Sequence, residues 1–189
     1  ILRTRFNQES LPNFNHFEKA INYYKAHMNI HDHELINMAE LTLNNMMQKA
    51  DKNDEELLER VAKRAAEIIE QGYAVIISNF TRNHKLAKYL AQCKPQSVGI
   101  TTSIANLKNI FDSSNYGQNY TNELLSYISD LFSRNVKLLT YPYNDVENHK
   151  IITTKNIEVS PEAKPLFDFL IQNKYIIDIE DNKQEEGFA

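Results

Sequence analysis

Helical periodicity stops at Gly72, and the segment that follows limits the fold more than any other. Tyr73-Ala74-Val75-Ile76-Ile77-Ser78 is a continuous, mostly apolar run bounded by polar sequence. Such a run suits a strand covered on both faces, the situation met in parallel sheets. A helical pattern precedes it over 55–71, with Leu58, Val61, Ala62, Ala65, Ile68 and Ile69 recurring at three and four. A second helical pattern follows over 81–92 and stops at Lys94-Pro95. The alternation then repeats. Strands are expected over 96–102, 135–141 and 175–179, and helices over 104–111, 122–133 and 160–172. The last of these helices has Ser160 at the cap and Pro161 in its first turn. The β-prone stretches 151–154 and 157–159 are expected as short or irregular strands. Strands separated by helices need crossovers, which makes their sheet parallel.

The first 70 residues read as wholly helical. One helix spans 14–28, with Phe17, Ala20, Ile21 and Tyr24 on one face. A second spans 35–47, capped by His31 or Asp32, and carries Met38, Met46 and Met47. Asp51-Lys52-Asn53-Asp54 is the one candidate joint. The expected architecture is an α/β three-layer sandwich with a mainly parallel sheet of four to five strands. A helical region at 1–53 precedes the α/β domain at 54–180, and an acidic tail occupies 181–189.

Composition narrows the chemistry. In 189 residues there is one Cys and there are four Gly. A disulfide framework and multi-cysteine metal sites are excluded, and Gly-rich phosphate loops have little to be built from. Neither G-x-G-x-x-G nor G-x-x-x-x-G-K-[ST] occurs. Net charge is -4, and the Lys and Arg residues alternate with carboxylates, so no nucleic-acid surface is expected. No apolar run has the length of a membrane span. The chain opens Ile-Leu-Arg-Thr-Arg, without a basic-then-apolar leader, and a cytoplasmic location is expected.

Ligands of open parallel sheets gather beyond the carboxyl ends of the strands. That rule selects Asn79, Thr81, Arg82, His84 and Lys85 after the first strand, and Thr101, Thr102 and Ser103 after the second. The first group enters a helix N-terminus, where free amides favour an anion, and Arg82, His84 and Lys85 add positive charge. The simpler alternative is a helix capped by Asn79 or Thr81 with solvated cations. His27, His31, His33 and Glu34 form the one His cluster. The helix break near Asn29 spoils a four-residue ligand spacing there, so no metal and no cofactor are expected. Cys93, late in a helix before Lys94-Pro95, reads as a buried structural thiol. Ser78 and Ser103 sit at strand ends without a G-x-S-x-G elbow.

Several segments together resemble a bacterial α/β family. They are E-E-L-L-E-R-V from Glu55, G-Y-A-V-I-I-S-N-F from Gly72, K-L-A-K-Y-L from Lys85, S-V-G-I-T-T from Ser97, N-L-K-N-I-F-D from Asn106 and L-F-S-R-N-V-K-L-L-T-Y-P from Leu131. Members carry transferred names such as nicotinate-nucleotide adenylyltransferase or TonB-dependent receptor. The resemblance covers about 55–170 and implies an α/β fold in a bacterial cytoplasm. It implies no activity, because the H-x-G-H motif of such a transferase is absent here. Where the family favours Gly, this chain has Thr102-Ser103-Ile104 and Asn119-Tyr120-Thr121-Asn122.

Two functions follow. One is a non-catalytic interaction or regulatory domain, self-associating or meeting a protein partner through its N-terminal helices. The alternative is an enzyme or binder for a small anionic metabolite, a nucleotide or sugar phosphate.

Overall fold

A computed structural model describes residues 1–3, 14–47, 54–133, 135–145 and 149–179 of the chain. The expected acidic tail at 181–189 and most of the joint at 51–54 lie outside the described residues. The architecture is mixed α/β, with parallel sheets of three strands.

The first sheet begins at the start of the chain. β1 (Leu2–Arg3) pairs parallel with β2 (Met38–Thr42), and β2 pairs parallel with β3 (Ala74–Ser78). Between β1 and β2 runs α1 (Asn15–Met28), which buries Phe17, Ala20 and Tyr24. Asn29 ends it in the left-handed conformation at φ 52°, a common helix stop. A single short turn, α2 (Leu43–Met46), and then α3 (Asp54–Glu70) lead from β2 to β3. Gly72 makes the exit from α3 at φ +86°, where a side chain would be strained.

β2 is a correction to the helix expected over 35–47. Met38, Ala39, Glu40 and Leu41 all include good helix formers, so local propensity points the wrong way. Burial decides instead: Ala39, Glu40 and Leu41 are all fully covered. A strand can hide both its faces, whereas an amphipathic helix hides one stripe. The first 70 residues therefore hold two described strands, both before residue 51, and β2 and β3 from either side of the expected joint share one sheet. Met38 lies in β2 and Met46 in the core, while Met47 is exposed. The methionines thus form no continuous helical surface.

α4 (Asn83–Gln92) follows β3 and leads to the second sheet. There β4 (Val98–Ser103) pairs parallel with β5 (Val136–Tyr141), and β5 pairs parallel with β8 (Ile176–Asp178). The crossover from β4 to β5 contains α5 (Ile104–Phe111) and α6 (Tyr120–Leu131). A small antiparallel hairpin of β6 (Tyr143–Asp145) and β7 (Lys150–Ile152) follows β5. The expected strand at 157–159 is absent; Ile157 is drawn into the core instead. α7 (Lys164–Gln172) begins four residues later than expected. Residues 160–163 form a turn in which the Ser160 carbonyl accepts from the Ala163 and Lys164 amides. Pro165, not Pro161, lies in the first turn of the helix.

Two cores result. Leu138 joins the one formed with α4, α5, α6 and α7, whereas its neighbour Leu139 joins the one beneath α1, α3 and β2. Successive strand residues point to opposite faces, so β5 is covered on both sides. β1 also lies against β4: the Ile1 nitrogen donates to the Gly99 carbonyl at 2.6 Å, and the Thr101 amide donates to the Ile1 carbonyl at 3.0 Å.

α1 can seat on β4 because position 99 has no side chain. A Cβ there would lie 3.0 Å from the ring of Tyr24 and 3.3 Å from Leu139. Both neighbours are buried, so neither can easily yield. Gly99→Ala is expected to destabilise by about 1–3 kcal/mol through overpacking. Urea unfolding checks this, and a neutral result would mean that α1 does not rest firmly on the strand.

Among the described residues no helix is long and apolar enough to cross a membrane.

Candidate functional site

A cavity of about 1070 Å³ opens at the carboxyl ends of β1 and β4. Arg3 enters it from β1, and His16 and Lys19 enter from α1. Thr81, Arg82 and Asn83 come from the segment between β3 and α4, and Thr101, Thr102 and Ser103 from the end of β4. Asn109, Asn115, Tyr116, Tyr127 and Tyr141 make up much of the remaining wall. None of the described residues lining the cavity is Asp or Glu. In a chain with 25 acidic residues against 21 Lys and Arg, that absence distinguishes this surface from the rest.

Arg3 anchors the floor. Its Nε lies 2.6 Å from Oε2 of the fully buried Glu40. The contact is an ion pair rather than an aligned hydrogen bond, since Glu40 Oε2 has no hydrogen-bond donor. Arg3 Nη1 donates to Asn83 Oδ1 at 2.5 Å, and Nη2 donates to the Phe80 carbonyl. Ser78 Oγ donates to Glu40 Oε1 at 2.5 Å and accepts from the Phe80 amide. The cluster ties the carboxyl ends of β1, β2 and β3 together. A buried carboxylate needs such partners, because desolvation otherwise outweighs its hydration.

Arg82 differs from Arg3. It is exposed at the cavity, and its guanidinium makes no hydrogen bond or ion pair with any described residue. Ser103 caps α5, accepting from the Asn106 amide at 3.1 Å. Thr101 Oγ1 is occupied between the Ile1 carbonyl and the Arg3 amide. The hydroxyl of Tyr116 donates to the Ile110 carbonyl at 2.5 Å, and burial pushes its pKa up to about 12. The buried Tyr141 hydroxyl makes no aligned hydrogen bond, and its ring meets His16 edge-on at 5.9 Å.

Of the residues selected from sequence, Thr81, Arg82, Thr101, Thr102 and Ser103 line the cavity, whereas Asn79, His84 and Lys85 are not among its lining. The expected start of α4 also needs correction. Its N-cap is Arg82, not Asn79 or Thr81, and no side chain caps it. The phenol oxygen of Tyr127 lies against the Asn83 and His84 amides, in the place where an anion was expected. His84 is buried against Tyr127, ring centroids 4.2 Å apart, with Nδ1 unpartnered. Burial lowers its pKa, Lys85 and Arg82 lower it further, and Asp130 opposes them. His84 is therefore neutral near pH 7 and adds no positive charge.

A depressed histidine pKa makes stability pH-dependent. The unfolded chain takes up the proton first as pH falls below about 6.5, so stability drops there and levels off below the folded-state pKa. His84→Gln cannot be protonated. Thermal melts between pH 7.5 and 5 should show a shallower acid decline in this variant than in the parent. Equal slopes would assign the decline to other groups.

Residues not singled out from sequence include Arg3, His16, Lys19 and Tyr116. Cys93 is exposed at the end of α4, not buried as expected. The helix stops there because Lys94 turns left-handed at φ 51° ahead of Pro95, leaving the thiol exposed. Among the described residues no group of three His, Cys, Asp or Glu side chains could hold a metal ion.

No family model matches the chain, and no curated protein or solved structure is significantly similar to it.

Proposed function

We propose that the chain binds a small phosphate-bearing metabolite in the cavity at the ends of β1 and β4. The observation that carries this reading is the make-up of the lining: Lys19 and Arg82 bring positive charge to it, and no described carboxylate lines it. An unpaired guanidinium at a concave surface is a ready partner for phosphate, since its planar fork can hold two oxygens. The volume suits a ligand of metabolite size better than a bare ion.

The sheet arrangement supports the same place. We read the two three-stranded sheets as one six-stranded parallel sheet, in the order β3-β2-β1-β4-β5-β8, with helices on both faces. The two backbone bonds between Ile1 and β4 favour this reading. In that order the chain runs outward in opposite directions from β1 and β4. The crevice between them is the switch point at which open α/β sheets hold ligands.

A thermal-shift and calorimetry panel of sugar phosphates, nucleotides and dicarboxylates tests the proposal. A ligand at 100 times its Kd should raise stability by about 2.7 kcal/mol. Arg82→Ala should weaken phosphate-ester binding at least tenfold while leaving the melting temperature nearly unchanged, because an exposed side chain contributes little to folding. If no phosphate ester binds, the reading fails.

A further inference from the structure

We infer that the phosphate-bearing ligand is a nucleoside monophosphate, with its single phosphate at Arg82 and its base against Tyr116 and Asn115. The inference rests on the anion reading above and deepens it.

A single phosphate follows from how the cavity is built. Holding a pyrophosphate on backbone amides requires Gly where the chain passes closest to it. The turn after β4 reads Ser103-Ile104-Ala105, and the sequence after β1 reads Thr4-Arg5-Phe6, both without Gly. Gly99 is the glycine of β4, and the Tyr24 ring already fills the space above it. Phosphate recognition here falls to side chains. Among the described cavity residues Arg82 has a guanidinium with no ion-pair or hydrogen-bond partner, and it is matched to the two oxygens of one phosphate.

The rest of the ligand follows from the opposite wall. The Tyr116 ring is held at both ends: its hydroxyl donates to Ile110, and Tyr120 packs on it edge-on at 5.3 Å. A fixed, half-exposed aromatic ring loses little entropy on stacking, and base stacking on such a ring is worth about 1–3 kcal/mol. Arg82 and Tyr116 line the same cavity, so one ligand there can meet both. Asn115 Nδ2 donates to the Asn109 carbonyl at 3.0 Å, which leaves its Oδ1 as a fixed acceptor. Asn109 adds an amide with both donor and acceptor atoms. Amide side chains of this kind match the edges of bases. A sugar phosphate would leave this wall idle, and a free nucleoside would leave Arg82 idle.

Isothermal titration with AMP, GMP, CMP and UMP, their nucleosides and ribose 5-phosphate tests the inference on the parent, Arg82→Ala and Tyr116→Leu. At least one mononucleotide should bind tenfold or more tightly than both its nucleoside and ribose 5-phosphate. Arg82→Ala should weaken the mononucleotide and ribose 5-phosphate tenfold and leave the nucleoside unchanged. Tyr116→Leu should weaken the mononucleotide and nucleoside and spare ribose 5-phosphate. If circular dichroism shows Tyr116→Leu to be unfolded, Asn115→Ala takes its place with the same expectation. Equal binding of ribose 5-phosphate and all four mononucleotides would overturn the base position while leaving the phosphate reading intact. Binding of other phosphate esters without any mononucleotide would also overturn this inference alone. Absence of binding by every phosphate ester would overturn both.

Discussion

Arg3→Ala should lower the unfolding free energy by about 3–5 kcal/mol, the usual consequence of stranding one member of a buried ion pair. Glu40 is fully buried and takes its charge partner from Arg3 and a hydroxyl from Ser78. Without Arg3, the Asn83 side chain and the Phe80 carbonyl lose donors as well. Urea unfolding is the measurement. A double variant, Arg3→Met with Glu40→Leu, should recover most of the loss, since an apolar pair of similar volume needs no charge compensation. A loss below 1 kcal/mol for Arg3→Ala would mean that Glu40 is solvated or otherwise paired, and the floor of the cavity would need another account.

Phe111→Ala should cost about 3–5 kcal/mol, the range for emptying a fully buried aromatic position. Phe111 ends α5 with no exposure and meets Phe167 of α7 edge-on at 5.0 Å. The wall of the cavity depends on this contact. The Phe111 carbonyl accepts from Tyr120, and the preceding carbonyl, of Ile110, accepts from Tyr116. The variant should therefore lose ligand-induced stabilisation along with its own stability. Full retention of ligand binding in a destabilised variant would show that the Tyr116 wall is held independently of the α5–α7 core.

The elements that could be read from sequence are those whose signal is local. β3, β4, β5 and β8 are short runs rich in Ile, Val, Leu or Thr, with Gly72 ahead of β3 and Pro142 after β5, and the helices between them have regular apolar spacing. β2 was not readable, because its stabilisation is remote. Glu40 at the centre of Met38–Thr42 is unsuited to a buried strand until Arg3 arrives from 37 residues upstream. β1 has two residues, too few to carry a pattern. The same distance hid half of the cavity. The strand-end rule found Thr81, Arg82, Thr101, Thr102 and Ser103. It missed His16 and Lys19, which sit on a helix, and Arg3, whose strand went unread. The helix-start rule could not foresee Tyr127, which comes from α6 and lies against the Asn83 and His84 amides at the start of α4.

The junction at Ile1 bears on the order of folding. β1 touches β4 across 98 residues of sequence, whereas β4 and β5 are joined by their own crossover. Closing so long a loop is entropically expensive, and contacts of that separation form late. Arg3, Thr101 and the cavity between them should thus be assembled after the transition state has been crossed. Interactions absent from the transition state act on unfolding. A ligand bridging β1 and β4 should accordingly leave the refolding rate almost unchanged and slow escape from the native state. The protein's lifetime, rather than its speed of formation, would then report whether the cavity is filled.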